Sequence, residues 1–121
     1  MKELGFHTTL HDGGKYAEHR EYRSRALGDK ELSLALIGHV DTVYRHEPNP
    51  EWKGDYWKEE NGRISGPGVL DMKGGLSVIV FALQALRDAH SERFSELKIR
   101  VLVNTDEEVG SPSSREVIES M

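Results

Sequence analysis

The stretch LSVIVFALQALRDAHSERFSELKIRVLVNT, residues 76 to 105, changes its apolar period partway along. In its first half Leu76, Ile79, Val80, Leu83 and Leu86 recur at helical spacing, and Val78, Phe81, Ala82 and Ala85 fill the other faces. A largely buried helix is expected there. In its second half Ile99, Val101 and Val103 alternate against Leu102, the period of a central strand. An earlier strand is supplied by ELSLALIGHVDTV, residues 31 to 43, where Leu32, Leu34 and Leu36 alternate with small or apolar neighbours. That pattern reads as a strand buried on both faces. Strand, crossover helix, strand in this order implies a parallel pair with a right-handed connection, and so an α/β fold.

Outward from this unit the signals are polar. Upstream, KYAEHREYRSRALGDKE (15 to 31) has polar alternation and a Gly28-Asp29 turn, the pattern of an outer strand joined by a hairpin to the buried one. Residues 45 to 62 carry Pro48, Pro50, Gly54 and an Asn61-Gly62 turn, so a long exposed loop ending in a small hairpin is expected. Packing of Trp52 and Trp57 onto the body is favoured over substrate contact. Downstream, SSREVIESM begins another helix, with Ser113 or Ser114 as its N-cap.

The whole chain, 121 residues with 36% hydrophobic content, fits one domain with a modest core. A net charge of −5 without any Lys/Arg block argues against a nucleic-acid partner. Cysteine is absent, which excludes disulfides, thiolate metal sites and a Cys nucleophile. No apolar run is read as reaching the roughly 18 residues of a membrane span, and the N-terminus lacks a signal-peptide core. The expectation is a cytoplasmic protein with no membrane partner.

Three polar clusters sit at element ends: HVDT (39 to 42), the glycine-rich SGPGVLDMKGG (65 to 75) and NTDEE (104 to 108). In an open α/β sheet ligands bind beyond the carboxyl ends of the strands, so all three point to one edge. His39, Asp71, Glu107 and Glu108 brought together there would repel without a compensating charge. A divalent cation supplies that charge. Histidine nitrogen with carboxylate oxygens and no sulfur is the ligand set of a catalytic zinc site, with cobalt or manganese also compatible. His39 and Asp41 share one face of an extended strand, so Asp41 can accept from the imidazole N–H turned away from the metal. Glu107 and Glu108 cannot point the same way on an extended backbone, so one is free to bind metal while the other faces the water. The glycine loop lacks the order of a phosphate or dinucleotide loop.

Each motif alone admits a bland reading; together, in this order, they carry a resemblance. GHVDTVY (38 to 44), ISGPGVLDMKGG (64 to 75) and VNTDEEVGSPSSREVI (103 to 118) resemble the M20 family of zinc metallopeptidases and amidohydrolases, nearest to its glutamate carboxypeptidase branch. The resemblance implies a three-layer catalytic domain with a mixed, mainly parallel sheet. It implies that His39 binds one zinc, Asp71 bridges two, Glu108 binds the other, Glu107 is the general base and Asp41 orients His39. It further implies a cis peptide bond after Asp71. The implied reaction is hydrolysis of an amide or peptide bond next to a free carboxylate in a small peptide or N-acyl amino acid, with two metals acidifying a water and polarising the carbonyl.

The same resemblance places a further acidic ligand, a C-terminal histidine and a lid and dimerisation domain beyond Met121, and a leading helix before Met1. The chain is therefore expected to be a fragment of the catalytic domain, with any homodimer belonging to the complete protein. The competing reading is a catalytically inactive metal-binding or interaction module that keeps the fold. The residues that would select a particular substrate lie largely outside these motifs.

Overall fold

The computed structural model describes residues 1–24, 34–44 and 57–121. A short 3-10 turn at Lys2–Leu4 leads into β1 (His7–His11) and β2 (His19–Arg23), followed by β3 (Leu34–His39). A hairpin of β4 (Lys58–Glu60) and β5 (Arg63–Ser65) precedes a kinked turn at Val69–Lys73 and the long helix α1 (Gly74–Ala89). Then come α2 (Ser91–Glu96), β6 (Ile99–Asn104), a 3-10 turn at Glu107–Val109 and α3 (Arg115–Glu119).

The main sheet has the order β1-β2-β6-β3. β3 and β6 are parallel and in register from Leu34 opposite Ile99 to His39 opposite Asn104, so the strand–crossover–strand unit is present. The sheet is mixed as expected, and its parallel share among the described residues is this one junction, because β1–β2 and β2–β6 are antiparallel. The expected hairpin from β2 into β3 does not exist as a pairing: β6 lies between them. Sequence adjacency suggested the hairpin, but β6 offers both edges and takes a partner on each; the Gly28-Asp29 turn lies outside the described residues.

Alternation along β6 sends Ile99 and Val101 to the α1 side and Arg100, Leu102 and Asn104 to the other. The first pair joins Leu83, Phe94, Leu4 and Phe6 in the core, with Leu36, Ile79 and Leu86 packed around it. Phe6 and Phe94 meet at 6.3 Å between ring centroids. The opposite face mixes buried Leu102 with the polar Arg100 and Asn104, and Arg100 donates to the carbonyl of Ser120, the residue that caps α3, at 2.6 Å.

Two burial expectations are overturned. β3 is not buried on both faces: it ends the sheet order, and Leu34 and Ile37 are exposed. Nor is α1 largely buried. A helix lying on one sheet face buries one stripe; here only Leu83 is fully buried, while Val78 and Phe81 are 67% and 68% exposed. The expectation that no apolar run suits a membrane also needs correction. Val69–Ala89, 21 residues containing an 18-residue window of mean hydropathy 1.6, is long and apolar enough to cross one by length and composition. It is not one regular helix, since Asp71 and Met72 have non-helical dihedrals. The regular part, α1, has 16 residues, about 24 Å at 1.5 Å each against a hydrocarbon layer of about 30 Å.

The expected small hairpin is present. Asn61 and Gly62 have φ of 52° and 71°, the paired positive values of a two-residue turn that matches strand twist. Trp57 beside it is exposed rather than packed, and Trp52 lies outside the described residues.

Candidate metal centre

His39 ends β3 and is 4% exposed. Because β3 and β6 run parallel with His39 opposite Asn104, the chain leaving β6 passes directly beside it. Val40 N–H donates to the Asn104 carbonyl at 3.0 Å and ties the two strand ends. The third segment arrives through the glycine loop. Gly68 has φ of 68°, and a Cβ there would stand 2.5 Å from Thr42 Cγ2, so only glycine lets this loop close onto the segment after His39. The loop delivers Asp71, and the Asp71–Met72 peptide bond is cis, as the motif implied.

These placements bring together His39, Asp71 and Glu108, whose candidate ligand atoms all lie within 4.8 Å of one another. His39 Nε2 is 3.0 Å from Asp71 Oδ1 and 3.8 Å from Glu107 Oε2. Two ligands on one tetrahedral zinc at about 2.0–2.1 Å lie roughly 3.3 Å apart, so the His39–Asp71 pair already has such a spacing. The donor set, one imidazole nitrogen and carboxylate oxygens, fits a borderline or hard divalent ion. His39 gives the same indication electrostatically. Burial pushes its pKa down, but the Asp41 carbonyl, the Asp71 carboxylate and the charges of Glu107 and Asp41 outweigh that and raise it above the ordinary imidazole value. A negative field strong enough to favour an imidazolium also favours a metal cation on the same nitrogen.

Asp41 engages His39 through its backbone carbonyl rather than through the carboxylate that the strand geometry suggested. Its backbone carbonyl accepts from His39 Nδ1 at 3.1 Å, with carboxylate Oδ1 at 3.4 Å from the same nitrogen. Carboxylate Oδ2 accepts the Glu108 N–H at 2.9 Å, so one residue holds both the histidine and the acidic turn. Asp41 Oδ1 is buried without a hydrogen-bond partner. Glu107 and Glu108 do not diverge along an extended strand as expected. They sit in a 3-10 turn, where successive side chains are splayed around the axis; the Glu107 side chain is 53% exposed and Glu108 half-buried.

Asp106 is the first acid of the NTDEE cluster. It is wholly buried. Burial pushes its pKa up, but hydrogen bonds from the hydroxyls and N–H groups of Ser114 and Ser113 pull it down to about 2. Ser114 does occupy the α3 N-cap, yet its side chain makes no cap bond to the helix and donates to Asp106 instead. Neither serine's partner was readable locally, because it lies on the far side of the turn.

Known proteins resemble this chain in sequence and fold. Carboxypeptidase G2 of Pseudomonas sp. is 33% identical over 123 residues, 98% of this chain and 28% of that protein. The N-formyl-4-amino-5-aminomethyl-2-methylpyrimidine deformylase of Bacillus subtilis is 37% identical over 86 residues, 69% of this chain and 20% of that protein. A probable succinyl-diaminopimelate desuccinylase of Staphylococcus aureus is 33% identical over 95 residues, 78% and 23% respectively. This chain thus spans between a fifth and somewhat over a quarter of these relatives. Among solved structures, human carnosine dipeptidase 1 superposes with a TM-score of 0.67 at 21% identity, over 98% of this chain and 27% of that one, a likeness of fold. Residues 35–121, which include all three clusters gathered at the strand ends, match the description of Peptidase family M20/M25/M40, and the chain belongs to that family.

Proposed function

We propose that this chain holds a divalent metal through His39, Asp71 and Glu108 and serves hydrolysis of an amide or peptide bond next to a free carboxylate, with Glu107 as general base. The observation that carries the reading is the convergence of the three ligand groups within 4.8 Å, with Glu107 Oε2 at their rim. The names of a carboxypeptidase and a succinyl-diaminopimelate desuccinylase support a small peptide or N-acyl amino acid as substrate, and the pyrimidine deformylase supports cleavage of an amide without a free carboxylate beside it. Zinc is the first choice of metal, two ions in the complete protein, with cobalt or manganese as alternatives.

The residues divide the work as follows. His39 gives its Nδ1 hydrogen to the Asp41 carbonyl, which turns the Nε2 lone pair toward Asp71 and Glu108. A metal held by His39, Asp71 and Glu108 would supply Lewis acidity toward the scissile carbonyl and would lower the pKa of an attacking water. Glu107, exposed on the 3-10 turn with Oε2 3.8 Å from His39 Nε2, would take a proton from the attacking water and return it to the leaving amine.

Calorimetric titration of the purified chain with zinc tests this. Binding is expected, weakened at least about tenfold in His39→Ala and in Asp71→Ala, and retained in Glu107→Ala. A wild-type chain that binds no zinc refutes the reading. Acyl-glutamate and dipeptide hydrolysis by the 121-residue chain is expected to be slight, because the Asp71 and Glu107 side chains are 71% and 53% exposed and the site does not exclude water. The same exposure favours the second reading, a metal-binding module without catalysis. Zinc binding with no hydrolysis in either this chain or a full-length protein containing it would assign that reading instead.

A further inference from the structure

Three consecutive carboxylates follow β6, and the assignment above uses only Glu107 and Glu108. Asp106 turns the other way. Its Oδ2 accepts from Ser113 N–H at 2.7 Å, Ser113 Oγ at 2.7 Å and Ser114 N–H at 3.1 Å. Its Oδ1 accepts from Ser114 Oγ at 2.6 Å and Asn104 Nδ2 at 3.4 Å. Protein donors occupy both oxygens of this buried group, which leaves no place for a cation. Asp106 is therefore not a ligand. Its serine donors come from the far end of the turn, seven and eight residues on, so the carboxylate closes a ring around the segment that carries Glu107 and Glu108. The backbone tightens the same ring, with Ser111 N–H on the Asp106 carbonyl and Gly110 N–H on the Glu107 carbonyl, both at 2.8 Å.

A second layer braces the first. Asn104 Nδ2 also donates to Ser114 Oγ at 3.0 Å and Ser111 Oγ at 3.3 Å. His19 Nδ1 accepts the Thr105 N–H at 3.2 Å, so its hydrogen is on Nε2, which donates to Ser113 Oγ at 3.0 Å. Ser113 in turn donates to Asp106. The Ser113–His19–Asp106 constellation is thus no nucleophilic triad: the histidine donates to the serine and does not act as its base.

We propose that Asp106 is a positioning residue, which fixes the acidic turn on the end of β6 so that Glu108 meets His39 and Asp71 while Glu107 stands at their rim. This rests on the metal-centre reading above. Asp41 holds the front of the turn through the Glu108 N–H at 2.9 Å, and Asp106 holds its root. With the root released, the Asp41 contact and the backbone bonds within the turn must set the direction of Glu108 without the serine clamp.

The test compares the wild-type chain with Asp106→Ala, Asp106→Asn and Ser114→Ala by zinc calorimetry, urea unfolding and residue-resolved amide exchange. Asp106→Ala is expected to weaken zinc binding about tenfold or more and to raise exchange of the Glu108 amide similarly, with Val101 and Val103 amides unchanged. Asp106→Asn is expected to recover part of both, since its amide oxygen still accepts the serine N–H groups. If Asp106→Ala does not fold, Ser114→Ala, which loses one donor, is expected to show both shifts at about threefold. Lowered stability with wild-type zinc affinity and wild-type Glu108 exchange overturns the proposal. Should the wild type bind no zinc, the metal reading fails by itself, and Glu108 exchange alone decides: accelerated supports positioning, unchanged overturns it.

Discussion

Glu21→Gln offers a sharp test of how the sheet is held to α3. Glu21 is wholly buried, and its Oε1 accepts from Arg100 Nε and Arg23 Nε, both at 2.6 Å, while Oε2 pairs with His11 Nε2 at 2.8 Å. Arg100, itself 7% exposed, also donates from Nη1 and Nη2 to the carbonyl and hydroxyl of Ser120. One carboxylate therefore joins β1, β2 and β6, and through Arg100 the end of α3. Gln keeps the shape and one accepting oxygen but leaves the Arg100 charge buried without its counter-ion. Breaking a buried pair from one side costs about 3–5 kcal/mol, and one retained hydrogen bond offsets about 1 kcal/mol. A loss of about 3 kcal/mol is expected, a fall in urea midpoint of about 1.5 M at a slope of about 2 kcal/mol/M.

The pH dependence gives the prediction a second arm. Burial raises the Glu21 pKa, but Arg23, His11 and Arg100 outweigh it, so the folded value lies below the ordinary one. A group depressed on folding stabilises above its unfolded pKa, about 4.3, and that contribution is lost as pH falls through the folded value. The gap between wild type and Glu21→Gln should thus be full at pH 7 and shrink below about pH 4. Replacing both partners by apolar residues, Glu21→Leu with Arg100→Met, should cost less than the sum of the single changes. Urea unfolding at both pH values decides. A single-variant midpoint within about 0.3 M of wild type, with a gap independent of pH, would refute the argument that this carboxylate anchors the polar face.

Other perturbations separate buried from exposed apolar groups and the site from the hairpin. Leu83→Ala, at a 2% exposed core position, should cost about 3 kcal/mol by urea unfolding, whereas Phe81→Ser, 68% exposed on the same helix, should stay within about 0.5 kcal/mol. Gly38→Ala would set a Cβ 2.7 Å from Leu76 Cδ2 and 3.2 Å from Met72 Cε, costing about 1–3 kcal/mol; because Met72 follows Asp71, zinc affinity measured by calorimetry should fall with it. Gly62→Ala forces an L side chain onto φ +71° at about 1 kcal/mol. Since β4 and β5 form their own two-stranded sheet, the loss should appear as faster amide exchange across Lys58–Ser65 with the global urea midpoint unchanged.

What the sequence disclosed was what depends on local period. The α1 helix, the β6 strand and the Asn61-Gly62 turn follow from spacing within a few residues; polar groups at element ends single out His39, Asp71, Glu107 and Glu108, and the family resemblance names Glu108 rather than Glu107 as the ligand. Strand order depends on which edges compete, so β6 displaced the hairpin that Gly28-Asp29 suggested. The N-terminal segment carries no local signal because Leu4 and Phe6 stand among polar neighbours, yet both enter the core through contact with α1 and Phe94, far along the chain. The exposure of Val78 and Phe81 was hidden for the opposite reason: an all-round apolar pattern states only that a helix can be covered, not that it is.

The mixed strand directions explain why the site needed residues that no motif spacing would select. Parallel β3 and β6 present their carboxyl ends at one edge, which delivers His39 and the acidic turn side by side. Antiparallel β2 meets the same edge with its first residue: Arg20 lies opposite Val103, so His19 stands beside the exit of β6. An all-parallel sheet would place the far end of such a strand there. The edge thus receives ligand-bearing ends from two parallel strands and a bracing histidine from the start of the antiparallel one. His19 is 0% exposed and engages Thr105 and Ser113, and it would read from sequence as one more surface histidine among six. Its role becomes visible only once the strand order is known, because the order, not the spacing, puts it next to Asp106.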